Sequence, residues 1–388
     1  MAKTSQVRQH APASRETHPR GVGYRIRPAQ KGPVLGKVRN GNRLILRIDT
    51  RGAGGRTSNK AFLKVGEIQR TTMKIDNSMM KQWFVCPKYY WERNEAKLEK
   101  IKKGDALTFG KRVHELLEHR LYDMRGDCHL CHGKSFACES CDAYKKTGHY
   151  LLPTTPLPDA KLEAEAQAMF AGYCQQYPVE PFDVIDVERY FEVPLPRSEC
   201  PACKGVLVEV EGLNFYKCAD CGFEWNKHIY IGKFDGIVRE HDTGKLCIFE
   251  HKTEKRGGKQ NLPASWAVRS QVSLYIWAAE QLYGEPFDQI LLDVLTRQSE
   301  AGQIGPTFPP RQHLQRTEQQ KLDAVRNITW VADQITKMKA EHPDGDWPFD
   351  SEQCIPNNWS CDYMKLHVYG RDEFTLAEFK PAEEYLTL

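Results

Sequence analysis

An α/β sandwich built on a mixed central sheet is predicted for this 388-residue chain by three observations. IYIGKFDGIVRE and KLCIFEHKTE flank the turn-forming HDTG, the pattern of a β-hairpin. RSQVSLYIWAAEQLYG follows with apolar residues at helical spacing, and DQILLDVLTR after it is a continuous apolar run of strand length. Helical patterns also precede the hairpin and close the chain, so the order is helices, hairpin, helix, strand, helix.

Taken in order, residues 1 to about 33 are rich in Arg, Pro, Gly and Ser and read as a flexible arm. NRLILRIDT alternates like a short strand and RGAGGRTSNK reads as a loop, so residues 1–70 form a basic arm with one strand. Residues 71–388 are expected to make one discontinuous domain. From Ser78 to Asn94 an aromatic-rich helix is interrupted at Pro87, because proline disfavours the helical state of the residue before it. Further helices are expected over about Ala106 to Met124 and about Ala160 to Tyr177, then a strand at VIDVERYFEVPL. Gly284 stops the helix after the hairpin, and RTEQQKLDAVRNITWVADQITKMKA forms the long final one.

Residues 1–60 hold fourteen Lys or Arg against Glu16 and Asp49, so this stretch carries +12 of a net +4 and the rest of the chain −8. Such an arm suits contact with a polyanion or is a solvated tail. No apolar run approaches the ~20 residues of a membrane span, and Met1 to Ser14 lacks the apolar centre of a signal peptide. A soluble, cytoplasmic protein with no membrane partner is the expectation.

Of thirteen cysteines, eight fall in four C-x-x-C pairs, which in a chain of this size points to metal rather than disulfides. Cys200, Cys203, Cys218 and Cys221 form C-x2-C-x14-C-x2-C, a zinc ribbon expected over 197–226. Cys128, Cys131, Cys138 and Cys141 form C-x2-C-x6-C-x2-C, a zinc knuckle expected over 126–145. That makes about two structural Zn2+, neither catalytic, because four thiolates leave no open position for water. Cys174 and Cys247 lie in helix and strand patterns and read as buried thiols.

Asp235 lies on the first hairpin strand, with Glu250 and Lys252 two residues apart on one face of the second. Carboxylate oxygens suit Mg2+ or Mn2+, and a lysine beside them can orient water or compensate phosphate charge. Alone, the trio is more often the salt-bridged, solvated face of an ordinary hairpin. Three features weigh against that: His114 sharing a helical face with Glu118 in GKRVHELLEHRL, Gln271 and Tyr275 at i and i+4 in SQVSLY, and the segment SMMKQWFVCPKYYW ahead of them all. Glu188 or Glu192 is a further acid for the site, and spacing does not choose between them.

At these residues the sequence resembles the PD-(D/E)XK nuclease superfamily, and within it the RecB-type exonuclease branch that includes CRISPR-adaptation exonucleases and phage nucleases. The resemblance runs from about Ser78 to His367. It implies a restriction-endonuclease-like fold with the zinc-ribbon and zinc-knuckle insertions attached. It also implies that His114 of the G-x-x-x-H helix, Asp235, Glu250 and the carbonyl of His251 bind the catalytic metal. Gln271 and Tyr275 match the Q-x-x-x-Y motif and would position DNA or Lys252. Phe234 stands where the family's proline precedes the aspartate. Relatives also close their core with an iron–sulphur cluster held by four cysteines; here Cys86, Cys354 and Cys361 match, with His367 in the remaining place, so a 4Fe–4S cluster, a third zinc and no metal are open alternatives. The implied activity is Mg2+-dependent hydrolysis of single- or double-stranded DNA, as an exonuclease in phage or bacterial recombination, replication or processing. A recombinase, helicase or single-strand-binding protein would be its partner, in the cytoplasm of a bacterium or phage-infected host. The rivals are a non-catalytic, zinc-dependent nucleic-acid-binding protein and an endonuclease of the same fold acting on DNA or RNA.

Overall fold

The computed structural model describes the backbone of residues 35–40 and 43–48, then residues 72–101, 105–128, 131, 138–141, 156–200, 202–210, 215–255, 266–297, 306–354 and 361–382. The expected arm, residues 1–33, lies outside the described residues, as does the loop RGAGGRTSNK. The chain divides into two units, Met1–Leu63 and Lys64–Leu388. In the first, β1 (Leu35–Asn40) and β2 (Arg43–Ile48) pair antiparallel from Leu35 with Ile48 to Asn40 with Arg43. The expected strand is β2; its partner went unread.

The second unit opens with β3 (Lys74–Ile75) and α1 (Asn77–Val85), whose N-cap Asp76 accepts a hydrogen bond from the Met79 N–H at 2.7 Å. Pro87 acts as expected. Cys86 before it is extended at φ −169° and ψ 120°, α1 stops, and α2 (Pro87–Tyr90) restarts with proline in its first turn and runs into a π-helical turn over Trp91–Glu95. Next come β4 (Leu98–Lys100), α3 (Asp105–Arg125), α4 (Ala160–Gln176) and β5 (Phe182–Pro194). A small sheet of β6 (Leu207–Glu209), β7 (Phe215–Cys218) and β8 (Glu224–Asn226) precedes the hairpin of β9 (Ile229–Glu240) and β10 (Leu246–Lys255). Then α5 (Ser270–Tyr283) ends at Gly284, whose φ of +66° suits glycine, and β11 (Gln289–Arg297) follows. Last are β12 (Gln312–Gln315), α6 (Glu318–Glu341) with a Thr317/Gln320 capping box, α7 (Met364–Tyr369), α8 (Glu373–Leu376) and β13 (Phe379–Pro381), which pairs with β4.

Six strands form the central sheet in the order β12, β11, β10, β9, β3, with β5 also on β9. β10 and β11 are parallel and α5 crosses between them, whereas β9 is antiparallel to β10 and to β5. The sheet is mixed and helices cover both faces, as the element order predicts. Ile248, Leu292 and Val294 face the layer that holds Leu274, Ile276, Val325 and Ile328 of α5 and α6. Leu295 on the other side packs with Val113, Leu117 and Met169 of α3 and α4, and Cys247, Phe249 and Leu291 pack with Leu121. Burying each such side chain contributes about 1.5–3 kcal/mol, so both helical layers are held by apolar contact with the sheet. Among the described residues no helix is long and apolar enough to cross a membrane.

Candidate active site

The site begins where two strands part. β9 and β10 pair from Arg239 with Leu246 to Gly236 with Phe249, and β9 is next bridged on that edge by β3 at Ile229 and Tyr230. Asp235 and Glu250 are the first residues past the last pair. Phe234 and Ile237, three residues apart, both enter the α5/α6 core, so the alternation of β9 slips by one residue between them. Asp235 lies in that slip. Its Oδ2 accepts the His251 N–H at 2.9 Å, giving a β10 amide a side-chain acceptor where the ladder stops.

Two groups of side chains meet Asp235 from opposite layers. On the α5 side, Glu250 Oε1 accepts from Lys252 Nζ at 2.5 Å and from Gln271 Nε2 at 3.3 Å. Glu250 is 2% exposed, and its Oε2 is buried without a hydrogen-bond partner. A carboxylate oxygen so placed is costly unless a cation satisfies it, which is the fit expected of a divalent metal with an oxygen ligand. Lys252 Nζ also lies 5.4 Å from the Trp266 ring centre, and the Arg269 guanidinium lies 4.2 Å from the same ring. Tyr275 donates its hydroxyl to the Lys233 carbonyl at 3.1 Å, with Phe191 and Phe234 against its ring. The Q-x-x-x-Y pair therefore holds Glu250, to which Lys252 is also bonded, and the β9 backbone.

From the α3 side, His114 Nδ1 stands 3.7 Å from Asp235 Oδ1, and its Nε2 is 2.9 Å from the His251 carbonyl. An Nε2–H donating to that carbonyl leaves the Nδ1 lone pair toward Asp235. Gly110, one turn earlier, lies against β10: a Cβ there would sit 2.9 Å from Thr253 Oγ1. Arg112, 2% exposed, ties α3 to α4 through Glu163 at 2.9–3.2 Å. That guanidinium, with help from Gln167 and the Leu157 N–H, outweighs burial and holds the Glu163 carboxyl down to about 2.

Glu188 completes this side. Its φ of +50° is rare for a residue with a side chain, and the β5–β9 register passes over it opposite Asp235, between Val187 with Gly236 and Arg189 with Phe234. Ligand atoms of His114, Glu188 and Asp235 all lie within 4.8 Å of one another. Glu192 instead joins Lys74 at 2.5 Å and the Tyr190 hydroxyl at 2.8 Å, so the further acid at the site is Glu188. Lys233, unread from the sequence, forms an ion pair with Glu188. Its one sequence signal is its place two residues before Asp235, on the same side of β9.

Crowded carboxylates divide the charge unequally. Burial, then Asp235, push Glu250 up to about 7, against the pull of Lys252. Burial, Asp235 and Glu118 push Glu188 up to about 8, against Lys233. Burial also works against the Asp235 charge, but His114, Lys252, His251 and the His251 N–H together hold its carboxyl below the ordinary range. Asp235 is the ionised centre, and its neighbours take up full charge most readily when a cation joins them.

The cysteine pairs gather by fours. Cys128 and Cys138 sulphurs are 3.6 Å apart and those of Cys131 and Cys141 3.4 Å. Cys203 lies 3.4 Å from both Cys218 and Cys221, and Cys200 is 3.7 Å from Cys221. With Zn–S bonds of ~2.3 Å a tetrahedron has edges of ~3.8 Å, so both groups are compatible with zinc. Around the second, Leu207, Tyr216 and Trp225 make a small core. Cys86, Cys354 and Cys361 are less closely gathered: Cys86 Sγ accepts the Asp350 N–H at 3.4 Å, Cys354 Sγ is 3.8 Å from the Asp350 carbonyl, and Cys361 N–H bonds Cys354 O at 2.7 Å. With His367 they are not among the close ligand groups of the described residues. His367 Nε2 lies 3.6 Å from Glu92 Oε1, beside Lys88 and Arg371.

A mixed sheet parting over an aspartate and a Glu-x-Lys pair is the frame of a metal-dependent nuclease. Residues 80–366 match the PD-(D/E)XK nuclease superfamily, and the chain belongs to that superfamily. No curated protein matches it.

Proposed function

We propose that this protein is a Mg2+- or Mn2+-dependent DNA nuclease of the RecB type, acting as an exonuclease in bacterial or phage DNA processing. The observation that carries this reading is the unpartnered, buried Oε2 of Glu250 beside Asp235 at the point where β9 and β10 separate. Asp235, Glu250 and His114 would hold the cation, which supplies Lewis acidity and a water acidic enough to attack phosphorus. Lys252, anchored by Glu250 and by the Trp266 face, presents its ammonium to a water or a phosphate oxygen. Gln271 restrains Glu250, and Tyr275 fixes β9 at Lys233. The cysteine groups would brace the insertions or touch the nucleic acid, outside the chemistry.

The test is incubation of metal-stripped protein with single- and double-stranded DNA, each labelled at either end, with and without Mg2+ or Mn2+. Release of labelled mononucleotides or short ends only when metal is added is the expected result. Internal cuts would make it an endonuclease, and metal-independent binding without cleavage would overturn the enzymatic reading.

A further inference from the structure

Lys252 pairs with Glu250 and Lys233 with Glu188, whereas the exposed Arg269 meets no carboxylate at ion-pair distance among the described residues. Burial raises the Glu254 carboxyl and the Arg269 charge opposes that rise, but no ion pair closes between them. The guanidinium is nonetheless held. It lies 4.2 Å from the centre of the Trp266 ring, and Trp266 is only 2% exposed, so the surface it rests on is fixed in the core. The turn beneath is tied as well: Arg316 donates to the Ala267 carbonyl at 2.8 Å, to the Arg269 carbonyl at 3.4 Å and to Ser273 Oγ at 3.0 Å. Arg269 immediately precedes α5, whose first turn holds no acid and no side-chain cap. A buried aromatic plate, a braced backbone and an unmatched guanidinium in solvent make an ordered set of donors without an internal acceptor.

The same ring ties this cation to the candidate chemistry. Lys252 Nζ lies 5.4 Å from the Trp266 centre, so no more than the sum of the two distances, ~10 Å, separates ammonium from guanidinium, a reach of two or three nucleotides at about 3.4 Å of rise along one strand. We propose that Arg269 is a substrate-binding residue that grips a phosphate of the nucleic-acid strand within two linkages of the one presented to Lys252, with Trp266 as the plate that sets the spacing of the two cations. This rests on the reading of Glu250 and Lys252 as part of a nuclease site, and adds to it the residue that fixes the strand's register. A guanidinium matches two phosphate oxygens at once, which a lysine ammonium does not. A purely structural Arg269, stacked on Trp266 only to hold the turn, predicts losses indifferent to the charge of any single phosphate.

Equilibrium binding of the full-length, zinc-loaded protein to short single-stranded DNA, without Mg2+ or Mn2+, separates the two without turnover. One linkage at a time, counted from either end, is replaced by an uncharged methylphosphonate. Arg269→Met should weaken binding about three- to tenfold and flatten the slope of log affinity against log salt by about one unit, while Arg269→Lys should keep the slope. Neutralising the gripped linkage should cost wild type about what Arg269→Met costs, and should cost that variant nothing further. Circular dichroism checks the fold, and Arg269→Gln, which keeps a polar side chain at this exposed position, repeats the test should Arg269→Met fail to fold. An unchanged salt slope in the neutral variant, or a loss equal at every neutralised linkage, overturns the proposal. Cleavage is scored apart: a wild type that binds through Arg269 yet cuts nothing in Mg2+ or Mn2+ strikes the nuclease reading and leaves this contact standing.

Discussion

The carboxylate site and the cysteine groups both gather metal-binding side chains, yet they solve opposite problems. At Cys200, Cys203, Cys218 and Cys221 the ligands come in pairs two residues apart, meet at 3.4–3.7 Å and share a small sheet with its own core. Such a group is closed, and a metal held in it would serve folding. At Asp235 the ligands come from α3, β5, β9 and β10, carry internal ammonium partners and leave one buried oxygen unsatisfied. A metal held there would have to be exchangeable, because water and phosphate would need places on it. Local spacing suffices for the first kind, and only the assembled sheet makes the second.

Breaking the open site should have the largest effect. Asp235→Ala or Glu250→Ala is expected to lower metal-dependent DNA cleavage by at least ~10^3-fold while zinc content and fold are retained, measured by single-turnover assay and elemental analysis. Undiminished turnover in both variants would remove these acids from the chemistry. Breaking the closed site should reverse the pattern: Cys218→Ser should lose about one of about two zinc ions and unfold the small sheet, with residual cleavage still dependent on Asp235. The same elemental analysis addresses Cys86, Cys354, Cys361 and His367. Two zinc ions and no iron would leave that group without a metal, and iron with absorption near ~400 nm would show that these residues close around a cluster.

A smaller effect concerns the helix that delivers His114. Glu163 titrates near 2 in the fold instead of at its ordinary 4.5, so its contribution is fully present above about 4.5 and is lost as pH falls toward 2. Glu163→Gln should therefore destabilise by about 1–2 kcal/mol at pH 7, with the difference from wild type shrinking below pH 4 in thermal unfolding. A pH-independent difference would assign the loss to packing. Smallest is the arm: deleting residues 1–33 should leave turnover at saturating DNA intact and flatten the slope of log affinity against log salt by about one unit for each phosphate the arm would have neutralised. An unchanged slope would make the arm a solvated tail.

Much of the frame was legible in the chain because it rests on local rules. Helical spacing placed α3, α4, α5 and α6 to within a few residues of their ends, Pro87 marked the break at Cys86, and HDTG marked the hairpin. β3 and β12 were not legible, the first being two residues long and the second the polar QHLQ, where only Leu314 is buried. At the candidate site, Asp235, Glu250, Lys252 and His114 are the residues that spacing and resemblance offer. Glu188 could not be separated from Glu192, since the choice depends on one backbone angle, and Lys233 looked like any surface lysine. The destination of His367 beside Glu92 also depends on tertiary packing that spacing does not encode.

Gly110 makes a different kind of contribution from the ligands it serves. Because a methyl at this position would press on Thr253 Oγ1, the missing side chain acts as a shim of zero thickness between α3 and β10. Inserting one carbon must rotate Thr253 or lift the helix, and the imidazole one turn along would be carried outward with it. The reach of His114 toward Asp235 is in that sense a machined clearance, adjustable by a few tenths of an ångström at a residue that binds nothing.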